Sequence, residues 1–184
     1  MVEQTSRTRE LTRFVGSLRA VRRYSPRAIS DEVLQDVVEV ARWTGSSKNS
    51  QPWHLIVARN ASTLEQLAEC GPYAGHLAGA QAAIALVMDD GNRRFDEGRL
   101  AQNVMLAAWA HGVGSCIASI YPDANKARAR ALLGVPAKRW LHTVIALGYP
   151  ADDKALRLSA DRARLADVPI GRVSVQDLVS HERN

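Results

Sequence analysis

Residues 82–88, Ala-Ala-Ile-Ala-Leu-Val-Met, form an unbroken apolar run that ends at Asp89-Asp90-Gly91. With no polar face, such a run reads as a strand buried on both sides, and the rest of the chain must supply the covering layers. The flanking sequence has the patterns to do so. Leu11, Phe14, Val15 and Leu18 repeat at helical spacing over residues 9–18, ahead of a break at Ser25-Pro26. Ser30-Asp31-Glu32 is a helix start, with Val33, Leu34, Val37, Val38 and Ala41 on one face as far as Arg42. Ser62-Thr63-Leu64-Glu65 fits a capping box, and Gly71-Pro72 ends that helix. A long helix is expected from about Arg93 to His111, rich in alanine and so suited to close packing, in a central place or at a subunit interface. Another opens at Pro122-Asp123 and ends near Leu133-Gly134. Residues 54–59, 114–120 and 142–148 are the remaining strand candidates. Strands alternating with helices favour a layered α/β or α+β domain on a sheet of about four strands.

At 184 residues the chain is expected to be a single domain, 1–184, with an arm from about 166–184 where its character changes. Cys70 and Cys116 are far apart and outside any Cys/His cluster, which argues against zinc and against a disulfide framework and suits a reducing cytoplasm. No stretch approaches the length of a membrane span. A net charge of +5 raises the question of nucleic acid, but the arginines are dispersed and aromatics make up only 5% of the chain, so no base-stacking platform is visible. Phosphate on a small molecule would satisfy the same arginines.

Two features stand out as candidate binding equipment. Thr44-Gly45-Ser46-Ser47-Lys48-Asn49-Ser50-Gln51-Pro52-Trp53 brings hydroxyls, carboxamides and backbone N–H groups together, as a loop gripping a planar heteroaromatic ligand would; an ordinary helix-to-strand connector has the same composition. Arg19 with Arg22, and Arg162 with Arg164, are short-spaced cation pairs that suit phosphate or a solvated surface equally. His111 reads as a helix-end residue and Cys116 as core. No Rossmann fingerprint, P-loop, nucleophile elbow or HExxH is present. That inventory describes a site for an anionic, planar cofactor that carries the chemistry itself.

Four blocks, in order, resemble the nitroreductase-like flavoproteins: Arg19-Ala20-Val21-Arg22-Arg23-Tyr24; Ser46-Ser47-Lys48-Asn49-Ser50-Gln51-Pro52-Trp53; Asp96-Glu97-Gly98 through Asn103 to Gly114-Ser115; and Leu133-Gly134-Val135-Pro136 with Ala146 to Pro150 and Arg162-Ala163-Arg164. The resemblance implies an α+β fold with a central mixed, mostly antiparallel sheet of about four to five strands flanked by helices. It also implies a homodimer with exchanged terminal arms and an FMN site at each subunit interface. NADH or NADPH would reduce the flavin, and a small acceptor such as a nitroaromatic or quinone would reoxidise it by ping-pong hydride transfer, without a catalytic side chain or a metal. A flavin-sequestering protein with little turnover is the alternative within the family, and a basic nucleic-acid module the alternative outside it.

By the same resemblance Arg19, Ala20, Val21, Arg22, Arg162 and Arg164 meet the phosphate and pyrimidine edge of FMN. Ser46, Ser47, Lys48, Asn49 and Gln51 belong to the flavin loop, which reaches the other subunit's cofactor, and Ser119 and Ile120 pass flavin N5. Tyr73 and His76 fall on the substrate side, where relatives offer Asn and Lys to the ring. Leu18 stands where the family has its first arginine, Ala20 where it has Ser, and Gly45 where it has Pro.

Overall fold

The computed structural model describes residues 2–152 and 173–182, with side chains from residue 7 onward. Two compact units share the chain: residues 18–155, and residues 1–17 with 156–184. The smaller unit contributes helix α1 (Val2–Ser17), which starts earlier than the periodic pattern, and a single helical turn at Val175–Leu178. The larger unit runs α2 (Asp31–Arg42), β1 (Trp53–Ala58), α3 (Ala61–Ala68), β2 (Ala82–Met88), α4 (Arg94–Ala110), β3 (Gly114–Ser119), α5 (Asp123–Leu132) and β4 (Trp140–Gly148). Single 3₁₀ turns lie at Ser47–Asn49 and Gly75–Leu77.

The sheet order is β1-β2-β4-β3, and every described ladder is antiparallel. β2 and β4 are therefore interior, which explains why both are almost wholly apolar. Alternation along β2 divides the core into two layers. Ala82, Ile84, Leu86 and Met88 pack with Leu34, Val37 and Ala41 of α2 and Leu100, Val104 and Ala108 of α4. Ala83, Ala85 and Val87 pack on the opposite face with Leu64 and Leu67 of α3, Leu77, and Ala129 of α5. Helices on both faces of an antiparallel sheet make this the expected α+β class.

Local signals explain most of the helix ends. The Ser30 hydroxyl accepts from the Val33 N–H at 3.3 Å, so α2 begins where its cap predicts. The start of α3 is corrected: Asn60, not Ser62, is the cap. Asn60 Oδ1 accepts from the N–H groups of Ser62 and Thr63 and from the Ser62 hydroxyl, leaving Ser62 inside the first turn. β4 opens two residues before the expected His142, at Trp140. Among the described residues no helix is long and apolar enough to cross a membrane.

Candidate functional site

One group of expected site residues gathers on the outer edge of β3. The chain from Leu18 to Ser25 lies along this edge, held by a parallel bridge between Ala20 and Ser115 and by the Val21 N–H, which donates to the Ser115 carbonyl at 2.9 Å. Val21 is buried against Gly114. Tyr24 bridges to Pro150, and its hydroxyl donates to the Val21 carbonyl at 2.6 Å. Gly114 and Gly148 face each other across the β3–β4 ladder, and each leaves the space that Val21 or Tyr24 fills. That pair of glycines is the sequence signal for the docking of this segment. Arg19 is thereby held half-buried and Arg22 exposed.

Arg22 turns onto β3 close enough to the Cys116 side chain to pull its pKa downward, a neighbour that sequence reasoning missed. The Cys116 thiol is buried, and burial pushes its pKa up against the opposing pull of Arg22, so it keeps its proton and is no nucleophile. Burial raises the Tyr24 phenol as well, with Cys116 adding to the effect. His76, on the turn Gly75–Leu77, packs against the same strand. Burial, with the Arg22 charge, holds its pKa below the ordinary histidine value, against the pull of the Cys116 and Tyr73 backbones. Tyr73 stands largely in solvent.

The geometry separates Ser119 from Ile120. Ser115 turns its carbonyl outward to Val21, whereas the Ile120 N–H donates inward to the His142 carbonyl at 2.7 Å. Antiparallel alternation then turns the backbone groups of Ile117 and Ser119 away from β4, toward the open edge. Gly71 lies directly against the Ser119 carbonyl. Ile120 is fully buried with its N–H engaged, so of these two residues Ser119 is the one that turns its backbone donor to that edge.

The Ser46–Gln51 loop is elsewhere. It enters β1, at the opposite edge of the sheet and three strand spacings from β3, roughly 14 Å. Its shape is self-made: the Asn49 N–H donates to the Ser46 carbonyl at 3.0 Å, the Gln51 N–H to the Ser46 hydroxyl at 2.8 Å, and the Gln51 carboxamide to the Asn49 carbonyl at 3.4 Å. Lys48, Asn49 and Gln51 all have positive φ, near +50°, a costly conformation for residues with a Cβ. Behind the loop, Asn103 of α4 donates to the Thr44 hydroxyl at 2.8 Å. Arg162 and Arg164 lie outside the described residues.

His111 caps α4 and pairs with Asp36 at 3.4 Å, a helix-end role. Among the described residues no group of His, Cys, Asp or Glu is placed to hold a metal. The donor set does fit a flavin mononucleotide: guanidinium groups for its phosphate or pyrimidine edge, an outward N–H at Ser119, and a buried imidazole nitrogen, His76 Nε2, with no hydrogen-bond partner among the described residues.

Comparison with known proteins places the chain in one family. Residues 17–72 and 72–149 match the model of the nitroreductase family. A protein of Archaeoglobus fulgidus, provisionally named NADH dehydrogenase/NAD(P)H nitroreductase, is 33% identical over an alignment of 161 residues that covers 83% of this chain and 92% of that protein. Nitroreductase NfnB of Mycolicibacterium smegmatis is 28% identical over 202 residues, covering 78% of this chain and 83% of that one. The solved structure of an FMN-dependent nitroreductase from Clostridium difficile R20291 matches with a TM-score of 0.72 at 26% identity, covering 77% of this chain and 88% of that one.

Proposed function

Because the chain belongs to the nitroreductase family and is an oxidoreductase of that kind, we propose that it holds FMN, takes electrons from NADH or NADPH and passes them to a small acceptor such as a nitroaromatic or quinone. When bound, FMN supplies the hydride-accepting centre. The chain's own residues bind and orient. Arg19 and Arg22 pair with the anionic edge, the Ser119 N–H steadies the ring from the rim of β3, and Tyr73 and His76 border the side where a second substrate enters. Arg162 and Arg164 are assigned to the same anion.

The observation that carries this reading is the placement of two polar groups on opposite edges of one sheet. A loop built to present Ser47, Lys48 and Asn49 lies too far along the sheet to join the arginines of its own chain. A homodimer brings the loop of one subunit to the arginine edge of the other, so each FMN site draws on both chains. The outer face of α4 suits such a contact: Arg94, Phe95, Gly98, Arg99, Gln102 and Asn103 line a groove of about 480 Å³. Trp43 and Phe95 expose 74% and 79% of their surface. An exchanged terminal arm and a cytoplasmic location belong to the same proposal, the two buried free cysteines being consistent with a reducing compartment.

The absorbance spectrum of the purified protein, with its gel-filtration mass, tests this directly. A yellow dimer is expected; a colourless protein that neither retains added FMN nor melts higher with it removes the reading. A second reading, flavin sequestration with little turnover, is favoured by Leu18 and His76 standing where relatives have cations. Stopped-flow mixing of the FMN-loaded protein with NADH and NADPH separates the two, because an enzyme bleaches the flavin rapidly with at least one of them.

A further inference from the structure

The β3 edge is unusual in its charge balance. The segments that build it, residues 18–25, 71–79 and 114–119, contain no Asp or Glu. His76 Nε2 is buried there and makes no hydrogen bond among the described residues, while Arg22 approaches from the 18–25 segment. Of the other titratable groups around it, Tyr24 and Cys116 are held in their protonated forms by burial and offer no negative charge to offset Arg22, and Tyr73 stands largely in solvent. α3 packs against the same turn; its Glu65 is exposed, and Glu69, which caps its C-terminal end, is already bonded to Arg128 at 2.5 Å. The corner therefore disfavours a charged imidazole, and an anion placed in it would oppose that effect.

We propose that His76 couples the FMN site to solvent protons: when reduction leaves a negative charge on the cofactor beside Arg22, Nε2 takes up one proton, and it releases that proton when the charge departs. This rests on the FMN reading above. Electrons and protons balance as follows. The nicotinamide delivers two electrons and one proton together as hydride; the proton on Nε2 comes separately from water. Transfer of hydride to the acceptor returns the Nε2 proton to water. His76 is thus a positioning and charge-compensating residue, doing conditionally what a lysine at the same place would do permanently.

The test is the pH dependence of the midpoint potential, measured by spectroelectrochemistry on the FMN-loaded protein and on His76→Gln and His76→Lys between about pH 5 and 8. One additional proton per two electrons steepens the slope by about 30 mV per pH unit. The wild type is expected to be steeper than either variant by that amount over part of the range, with His76→Lys at the higher potential of the two variants. Parallel slopes for wild type and variants overturn the proposal while leaving the FMN reading intact. A wild-type protein that binds no FMN overturns both. Should His76→Gln fail to hold FMN, the His76→Lys comparison alone decides, by the same criterion of slope.

Discussion

Gly114 meets Val21 so closely that a Cβ on the glycine would lie 2.6 Å from the Cβ of Val21. Neither atom is the free end of a flexible chain, so the contact fixes the height of the Leu18–Ser25 segment above β3, and with it Arg19 and Arg22. Gly114→Ala is expected to destabilise the protein by about 1–3 kcal/mol through overpacking and to weaken FMN binding beyond what stability explains. Urea unfolding paired with FMN titration checks this; unchanged affinity in a well-folded variant would separate the segment from the site.

The cap of α3 gives a second prediction. Asn60 holds two N–H groups of the first turn, whereas the Ser62 hydroxyl only donates to Asn60. Asn60→Ala should cost about 1 kcal/mol and Ser62→Ala clearly less. Equal losses in thermal or denaturant unfolding would favour the capping box that the sequence suggests.

His76 makes stability depend on pH in a defined direction. Its folded-state pKa lies below the ordinary value of 6.5, so below that value the unfolded chain binds the proton more readily. The ligand-free protein is expected to lose stability as pH falls from 6.5 toward the lowered folded-state value, with no contribution from this residue above 6.5. His76→Gln should remove that component and leave the rest of the profile in place, as read by denaturant midpoints across the range.

Cys116 is a near neighbour of Arg22 and yet should be inert. Its thiol is 4% exposed and burial outweighs the guanidinium in setting its pKa. Native protein is expected to react with a thiol reagent at least ten times more slowly than unfolded chain at neutral pH. Labelling of Cys116 at the unfolded rate would mean that the β3 edge opens far more readily than its contacts suggest.

These cases show where the sequence is legible. β2 is plain because seven successive apolar residues leave no alternative to an interior strand, and α2 because Ser30, its acids and its apolar face all agree. The strand order is less accessible: alternating strands and helices fit a parallel sheet as well, and the resemblance, not the periodicity, pointed to antiparallel pairing. Trp140 lies outside the expected strand, which opens at His142, and the structure carries β4 back to it beside Arg139, which pairs with Asp89 across the strand ends. In the Ser46–Gln51 loop, composition announced polarity but not shape. Lys48 and Gln51 are not residues that advertise positive φ, and only the closed set of loop hydrogen bonds imposes it. The nearness of Arg22 to Cys116, and the division of labour between Ser119 and Ile120, depend on which edge of β3 lies open. That is a property of the assembled sheet.

The separation of the loop from the arginine edge makes the shared site testable without a structure of the dimer. A chain carrying Arg19→Ala and Arg22→Ala damages one half of every site, and a chain carrying Ser47→Ala and Asn49→Ala damages the other half. Each homodimer then has two defective sites. A mixed dimer pairs the intact arginine edge of one chain with the intact loop of the other, giving one sound site and one doubly damaged site. After unfolding, equal mixing and refolding, roughly a quarter of all sites should recover tight FMN binding, measured by retained flavin after gel filtration. If each site were built within a single chain, mixing would restore nothing, because no chain in the mixture carries both halves.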